Sequence, residues 1–167
     1  MLGPVEPQLL IVWHSRTGAA EAMARAAAAA AAAAAPNVRL LGAQEVQPRD
    51  LDAAAAYLFV CPENLASMSG LMKEMFDRCY YPVLGRIEGR PYATAIAAGS
   101  DGQGAQRQID RIVTGWRLRR VAEPVIVNLG AQTTEAILAA KTVPAADLAR
   151  CRDLGAALAE GLALGLF

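Results

Sequence analysis

Apolar positions along this chain alternate between two patterns, short uninterrupted runs and longer stretches with helical spacing. Residues 9–13, Leu-Leu-Ile-Val-Trp, contain no polar side chain and predict a strand buried on both faces. Similar runs at residues 38–41, 54–61, 90–98 and 121–129 predict four more strands. Between them lie helical patterns: an alanine-rich stretch to Ala35, ended by Pro36-Asn37, and an amphipathic segment over residues 69–80. In the latter Met72, Met75, Phe76 and Cys79 share one face, while Lys73, Glu74, Asp77 and Arg78 share the other. From Ala105, Ile109, Ile112, Val113 and Trp116 recur at i, i+3, i+4 and i+7, and Pro144 opens a last helix with the stripe Cys151, Leu154, Leu158 and Leu162. Residues 46–51 read as a surface connection. Repeated β-α units imply right-handed crossovers and a parallel sheet between two helical layers, with ligands beyond the carboxyl ends of the strands.

Three strands run into turns of unusual composition, and parallel strands place these turns on one rim. The first, residues 14–18, is His-Ser-Arg-Thr-Gly ahead of the alanine-rich helix. Hydroxyls of Ser15 and Thr17 converge there with the free amides of a helix start, whose dipole favours negative charge, so a phosphate fits. The second turn begins at Pro62, and the third, residues 99–104, is the most glycine-dense in the chain. An N-cap turn or a plain surface loop explains any one of them; the three together define a cleft.

Length and charge narrow the class further. With 167 residues the chain suits a single domain, 1–167, and its 16 basic and 16 acidic residues give a net charge of +0, which provides no field for nucleic acid or an anionic membrane. Cys61, Cys79 and Cys151 form no CxxC pair, and His14 is the one histidine, so no metal site is expected and the thiols read as reduced, in a cytoplasmic protein. Residues 1–8 lack the basic start and apolar core of a signal peptide, and no apolar run approaches the ~20 residues of a membrane span.

The residues in the three turns resemble a known family. Ser15-Arg16-Thr17-Gly18 is similar to the phosphate turn of flavodoxins, and Pro62-Glu63-Asn64 with Ser69-Gly70, Lys73 and Asp77 resembles the flavin-facing turn and helix of flavodoxin-like NAD(P)H-dependent FMN reductases. Residues 99–104 resemble that family's third flavin contact. The resemblance implies a flavodoxin-like three-layer α/β/α sandwich around a five-stranded parallel sheet of order 2-1-3-4-5. It implies FMN held without covalent attachment, with Ser15, Arg16, Thr17, Gly18, Ala19 and Ala20 at the phosphate. Ala20 departs from the pattern, standing where a hydroxyl residue is usual, and Arg16 is available as a charged donor instead. Pro62, Glu63, Asn64, Leu65, Ala66, Ser67 and Met68 would lie against the ring; Gly99, Ser100, Asp101, Gly102 and Gly104 would close its other side and the ribityl chain. Trp13, Tyr80, Tyr81 and Met68 are candidate stacking partners.

The activity so implied is hydride transfer from NAD(P)H through FMN to a small acceptor such as a quinone, a nitro or azo compound or free flavin, by a homo-oligomer, dimer or tetramer. No catalytic side chain is required, because the cofactor carries the reaction. No Gly-x-Ser-x-Gly accompanies His14, which argues against a Ser-His-Asp site. Two other readings stand beside the enzyme: a flavodoxin-type electron carrier without its own substrate, and a domain that kept the fold and lost the flavin. Carriers are strongly acidic and this chain is neutral. Lys73 and Asp77 read as a solvated ion pair, Cys61 as a small hydrophobe, and Arg117, Arg119 and Arg120 as a solvated face.

Overall fold

The structure is a computed structural model, and it describes residues 6–167. Residues 1–5 of the segment weighed as a signal peptide lie outside the described residues. The chain runs β1 (Leu9–Trp13), α1 (Ala19–Ala34), β2 (Val38–Gly42), α2 (Pro48–Ala53), β3 (Ala56–Asn64), β4 (Ser67–Met68) and α3 (Gly70–Val83). There follow β5 (Pro91–Ala98), α4 (Gln103–Gly115), β6 (Arg119–Arg120), β7 (Val125–Asn128), α5 (Thr134–Leu138) and α6 (Ala145–Ala163).

The main sheet is parallel, with neighbours in the order β2-β1-β3-β5, and β6 and β7 share the far edge of β5. Read as two pieces of one strand, β6 and β7 occupy the fifth position, and the order is the expected 2-1-3-4-5. The expected continuous strand over residues 121–129 is corrected. Pairing starts earlier, at Arg119 on Pro91, lapses near Pro124, which has no N–H for the ladder, and resumes at Val125 on Ala95. A second correction concerns residues 46–51. Val46 and Leu51 are fully buried, and α2 begins with a capping box in which the Gln47 amide donates to Asp50 Oδ2 at 2.8 Å. At 6 residues α2 is too short to show a helical period.

Strand alternation sends side chains into two cores. Leu10, Val12, Tyr57, Phe59 and Ile96 face α3 and α4, where Phe59, Phe76 and Trp116 pack ring against ring with centroids 5.1–5.2 Å apart. Leu9, Ile11, Leu58, Val60 and the small residues Ala93, Ala95 and Ala97 face α1 and α6. The alanine tract has its explanation on this side. Met23, Ala24, Ala27 and Ala31 of α1 are buried against α6, and Gly155 of α6 lies so close that a Cβ there would stand 2.2 Å from the Ala27 carbonyl oxygen. Alanine serves both as the best helix former and as the residue that lets two helices meet backbone to backbone. Among the described residues, no helix is long and apolar enough to cross a membrane.

Candidate functional site

The first turn connects β1 to α1 through Gly18, whose φ of 99° lies in the left-handed region. Its amide donates to Ser15 Oγ at 3.1 Å, which shapes the turn and leaves the Ser15 hydroxyl proton free to donate outward. No side chain caps α1, so its leading amides remain available, as those of an anion seat must. A Cβ at Gly18 would meet nothing within 4 Å; the glycine is required by its backbone conformation and not by crowding.

The second turn is a hairpin. β3 continues beyond the sheet and pairs antiparallel with β4, Glu63 opposite Met68 and Asn64 opposite Ser67. Leu65 and Ala66 form the two-residue tip at φ of 52° and 60°, the positions where Asn-Gly is the favoured pair. Left-handed leucine and alanine cost roughly 1 kcal/mol each, and Leu65 is in addition wholly exposed. The surroundings hold this conformation. Gln108 Oε1 accepts from Ser67 Oγ at 2.7 Å and from the Met68 amide at 2.9 Å. Glu63 reaches across to the third turn, where its two carboxylate oxygens accept from the amides of Gly102 (2.9 Å) and Ala105 (3.0 Å) at the start of α4.

Glycines of the third turn serve this docking. A Cβ at Gly104 would stand 2.1 Å from the Ala66 carbonyl oxygen, one at Gly102 2.5 Å from Ile126, and one at Gly99 2.9 Å from the Ala131 carbonyl oxygen. The expected close approach of main chain to ligand is thus, for Gly102 and Gly104, an approach of one part of the protein to another.

Behind the rim the first two turns are also linked. His14 Nδ1 and Ser69 Oγ are 2.8 Å apart, both residues buried, and the His14 amide donates to the Val60 carbonyl. Burial, with the Arg16 charge as a second cause, holds His14 below its ordinary value of 6.5. The unfolded chain therefore binds a proton that the folded one resists, so stability is retained above that value and declines as pH falls through it. Because His14 is the only histidine, denaturation midpoints measured from pH 7.5 down to 5.5 should fall more steeply in the wild type than in His14→Gln; parallel slopes would refute the assignment.

The turns enclose a cavity of about 660 Å³, within the range of small-molecule sites. Of the predicted residues, Ser15, Arg16, Thr17, Ala19, Ala20, Pro62, Glu63, Asn64, Leu65, Ala66, Gly99 and Ser100 line it. Gly18, Ser67, Met68, Asp101, Gly102 and Gly104 are not in its wall. Met68 is buried in the α3–α4 core, and Ser67 is turned to Gln108. None of the four stacking candidates lines the cavity: Trp13 lies under the Arg25 guanidinium at 5.7 Å, and Tyr80 and Tyr81 pack on each other late in α3. A fourth segment, unforeseen in the sequence, completes the wall with Leu129, Ala131, Ile137, Leu138 and Lys141. It is fastened to the first turn by the Lys141 amide, which donates to the Thr17 carbonyl at 2.8 Å. Cys61 lies behind the second turn, fully buried, and desolvation pushes its thiol up to about 12, which suits a packing residue and not a redox thiolate. Among the described residues no cluster of metal-ligating side chains is present.

The cavity wall thus combines hydroxyls, uncapped helix amides and the cations Arg16 and Lys141 with apolar side chains and the main chain of Pro62 to Ala66. This donor set fits a flat heterocycle carrying a phosphate.

Comparison with known proteins agrees with this geometry. The sequence model of the family described as NADPH-dependent FMN reductase matches residues 48–133, which include the second and third turns but not the first. Among curated proteins none matches the sequence. Solved structures are similar at low identity and define the fold. A flavodoxin from the domain Archaea is 18% identical, with 93% of this chain and 98% of that chain covered at a TM-score of 0.74. The Megasphaera elsdenii flavodoxin is 19% identical over 92% of this chain and 99% of that one, at 0.69. The rubredoxin oxygen:oxidoreductase of Desulfovibrio gigas is 17% identical and reaches 0.77, with 96% of this chain lying on 38% of that longer one. The sheet order, the rim of turns and a family match over more than half of the sequence lead to one conclusion: the chain has a flavodoxin-like fold and belongs to the NADPH-dependent FMN reductase family.

Proposed function

We propose that this protein binds FMN in the rim cavity and acts as an oxidoreductase, taking electrons from NAD(P)H and delivering them to a small acceptor such as a quinone, a nitro or azo compound or free flavin. The observation that carries this reading is the make-up of the cavity wall: hydroxyls, uncapped helix amides and two cations together with the apolar residues Leu65, Ala66, Leu129, Ile137 and Leu138. A bound FMN supplies two-electron chemistry, which no side chain of this site could provide alone.

The chain's own residues bind, orient and exclude water. The Ser15 and Thr17 hydroxyls and the amides opening α1 would hold the phosphate, with Arg16 adding charge. Main-chain groups of Pro62 to Ala66 are fixed by the hairpin and by Glu63, so they would orient the ring without an ordering cost at each encounter. Leu65, Ile137 and Leu138 expose apolar side chains at the mouth, where a planar ring and an acceptor would cover them.

Purified protein incubated with FMN and desalted should retain yellow absorbance, and NADPH or NADH should bleach it under anaerobic conditions. Thr17→Ala should weaken FMN binding about tenfold, near 1.4 kcal/mol, by loss of one hydroxyl donor. Failure to retain flavin would refute the binding site, and bleaching only through a partner reductase would identify an electron carrier instead.

A further inference from the structure

We propose that Lys141, from the segment after β7, is a second cationic ligand for the phosphate and sets a charge-based preference for a phosphorylated flavin over riboflavin. The inference rests on the flavin reading of the cavity and adds to it a residue outside both the phosphate turn and the stretch matched by the family.

Three observations converge on Lys141. Its amide is held by the Thr17 carbonyl at 2.8 Å, so its backbone stays beside the phosphate turn. Lys141 lines the cavity, as does Arg16, and neither forms an ion pair among the described residues. The one acidic residue in the wall, Glu63, has both oxygens occupied by the Gly102 and Ala105 amides. Cations thus outnumber acids two to one in the cavity wall, although the whole chain is neutral.

The Lys141 ammonium rests on the carbonyl oxygens of Ile137 (2.9 Å) and Ala139 (2.6 Å). Carbonyls are neutral partners; a phosphate dianion within reach of the flexible four-carbon stem is a stronger one. The second cation also accounts for Ala20, since charge from the facing segment takes the place of a missing hydroxyl.

The test compares FMN with riboflavin by flavin fluorescence titration, for wild type, Lys141→Met and Lys141→Arg. Methionine keeps the stem and removes the charge, so Lys141→Met should weaken FMN about tenfold while riboflavin changes less than twofold. Lys141→Arg should restore most of the FMN affinity, and added salt should weaken FMN binding less in Lys141→Met than in wild type. An equal loss for both ligands would make Lys141 a packing residue, and no loss for either would remove it from the site; both outcomes overturn the proposal. Wild type that binds neither flavin would refute the cavity reading itself, and with it this inference, whereas wild type that binds both equally refutes the inference alone.

Discussion

Gly155→Ala is expected to lower stability by about 3 kcal/mol, a fall in Tm of about 6–12 °C for a chain of this size. On an isolated helix the substitution would be favourable, since alanine is the better helix former by about 1 kcal/mol. Here the added carbon would lie 2.2 Å from the Ala27 carbonyl oxygen and 2.7 Å from its carbon, both main chain, so α1 and α6 would have to separate. Gly161→Ala is the natural control. Its added carbon meets the ring of Phe167, an exposed side chain that can swing away, so the expected change is under about 1 kcal/mol. Thermal or urea denaturation of the two variants side by side decides the matter, and similar losses in both would refute the close-packing account of the alanine tract.

Glu63→Ala should have the largest effect on the site. The carboxylate joins the hairpin to the start of α4 through two charge-assisted bonds, and no other side chain links Pro62–Ala66 to the amides of Gly102 and Ala105 among the described residues. Without it the strained Leu65–Ala66 tip loses a main restraint, and two amides lose their acceptor. Stability should fall by about 2 kcal/mol, and FMN affinity ten- to a hundredfold, or about 1.4–2.8 kcal/mol. Glu63→Gln retains one acceptor oxygen and should lie between. Unchanged FMN affinity in a folded Glu63→Ala protein would show that the hairpin is positioned by other means.

Both predictions turn on contacts that have no counterpart in linear sequence. Residues 9–13 are apolar at every position and could only be a buried strand, and the helix over Ala19–Ala34 follows from alanine propensity. Repetition of such units constrained the parallel sheet and placed three turns on one edge, because handedness and short connections leave few alternatives. The first turn was legible for the same reason: Ser15, Arg16, Thr17 and Gly18 form a local turn and a helix start where they stand in the chain.

What the sequence could not determine depends on distance in space. The α5 segment and Lys141 belong to the cavity only because the chain after β7 folds back to hydrogen-bond the Thr17 carbonyl. Nothing in residues 129–143 has a periodic pattern that signals this. Gly102 and Gly104 read as ligand contacts, since glycines at a strand end are compatible with either role. Tertiary structure assigns them to fastening two turns together, because only the packed protein shows whether the space beside a glycine is filled by a carbonyl or left open. Local patterns thus determined the elements, their order and the polarity of the first turn, whereas the walls of the cavity and the charges facing it were decided by long-range packing.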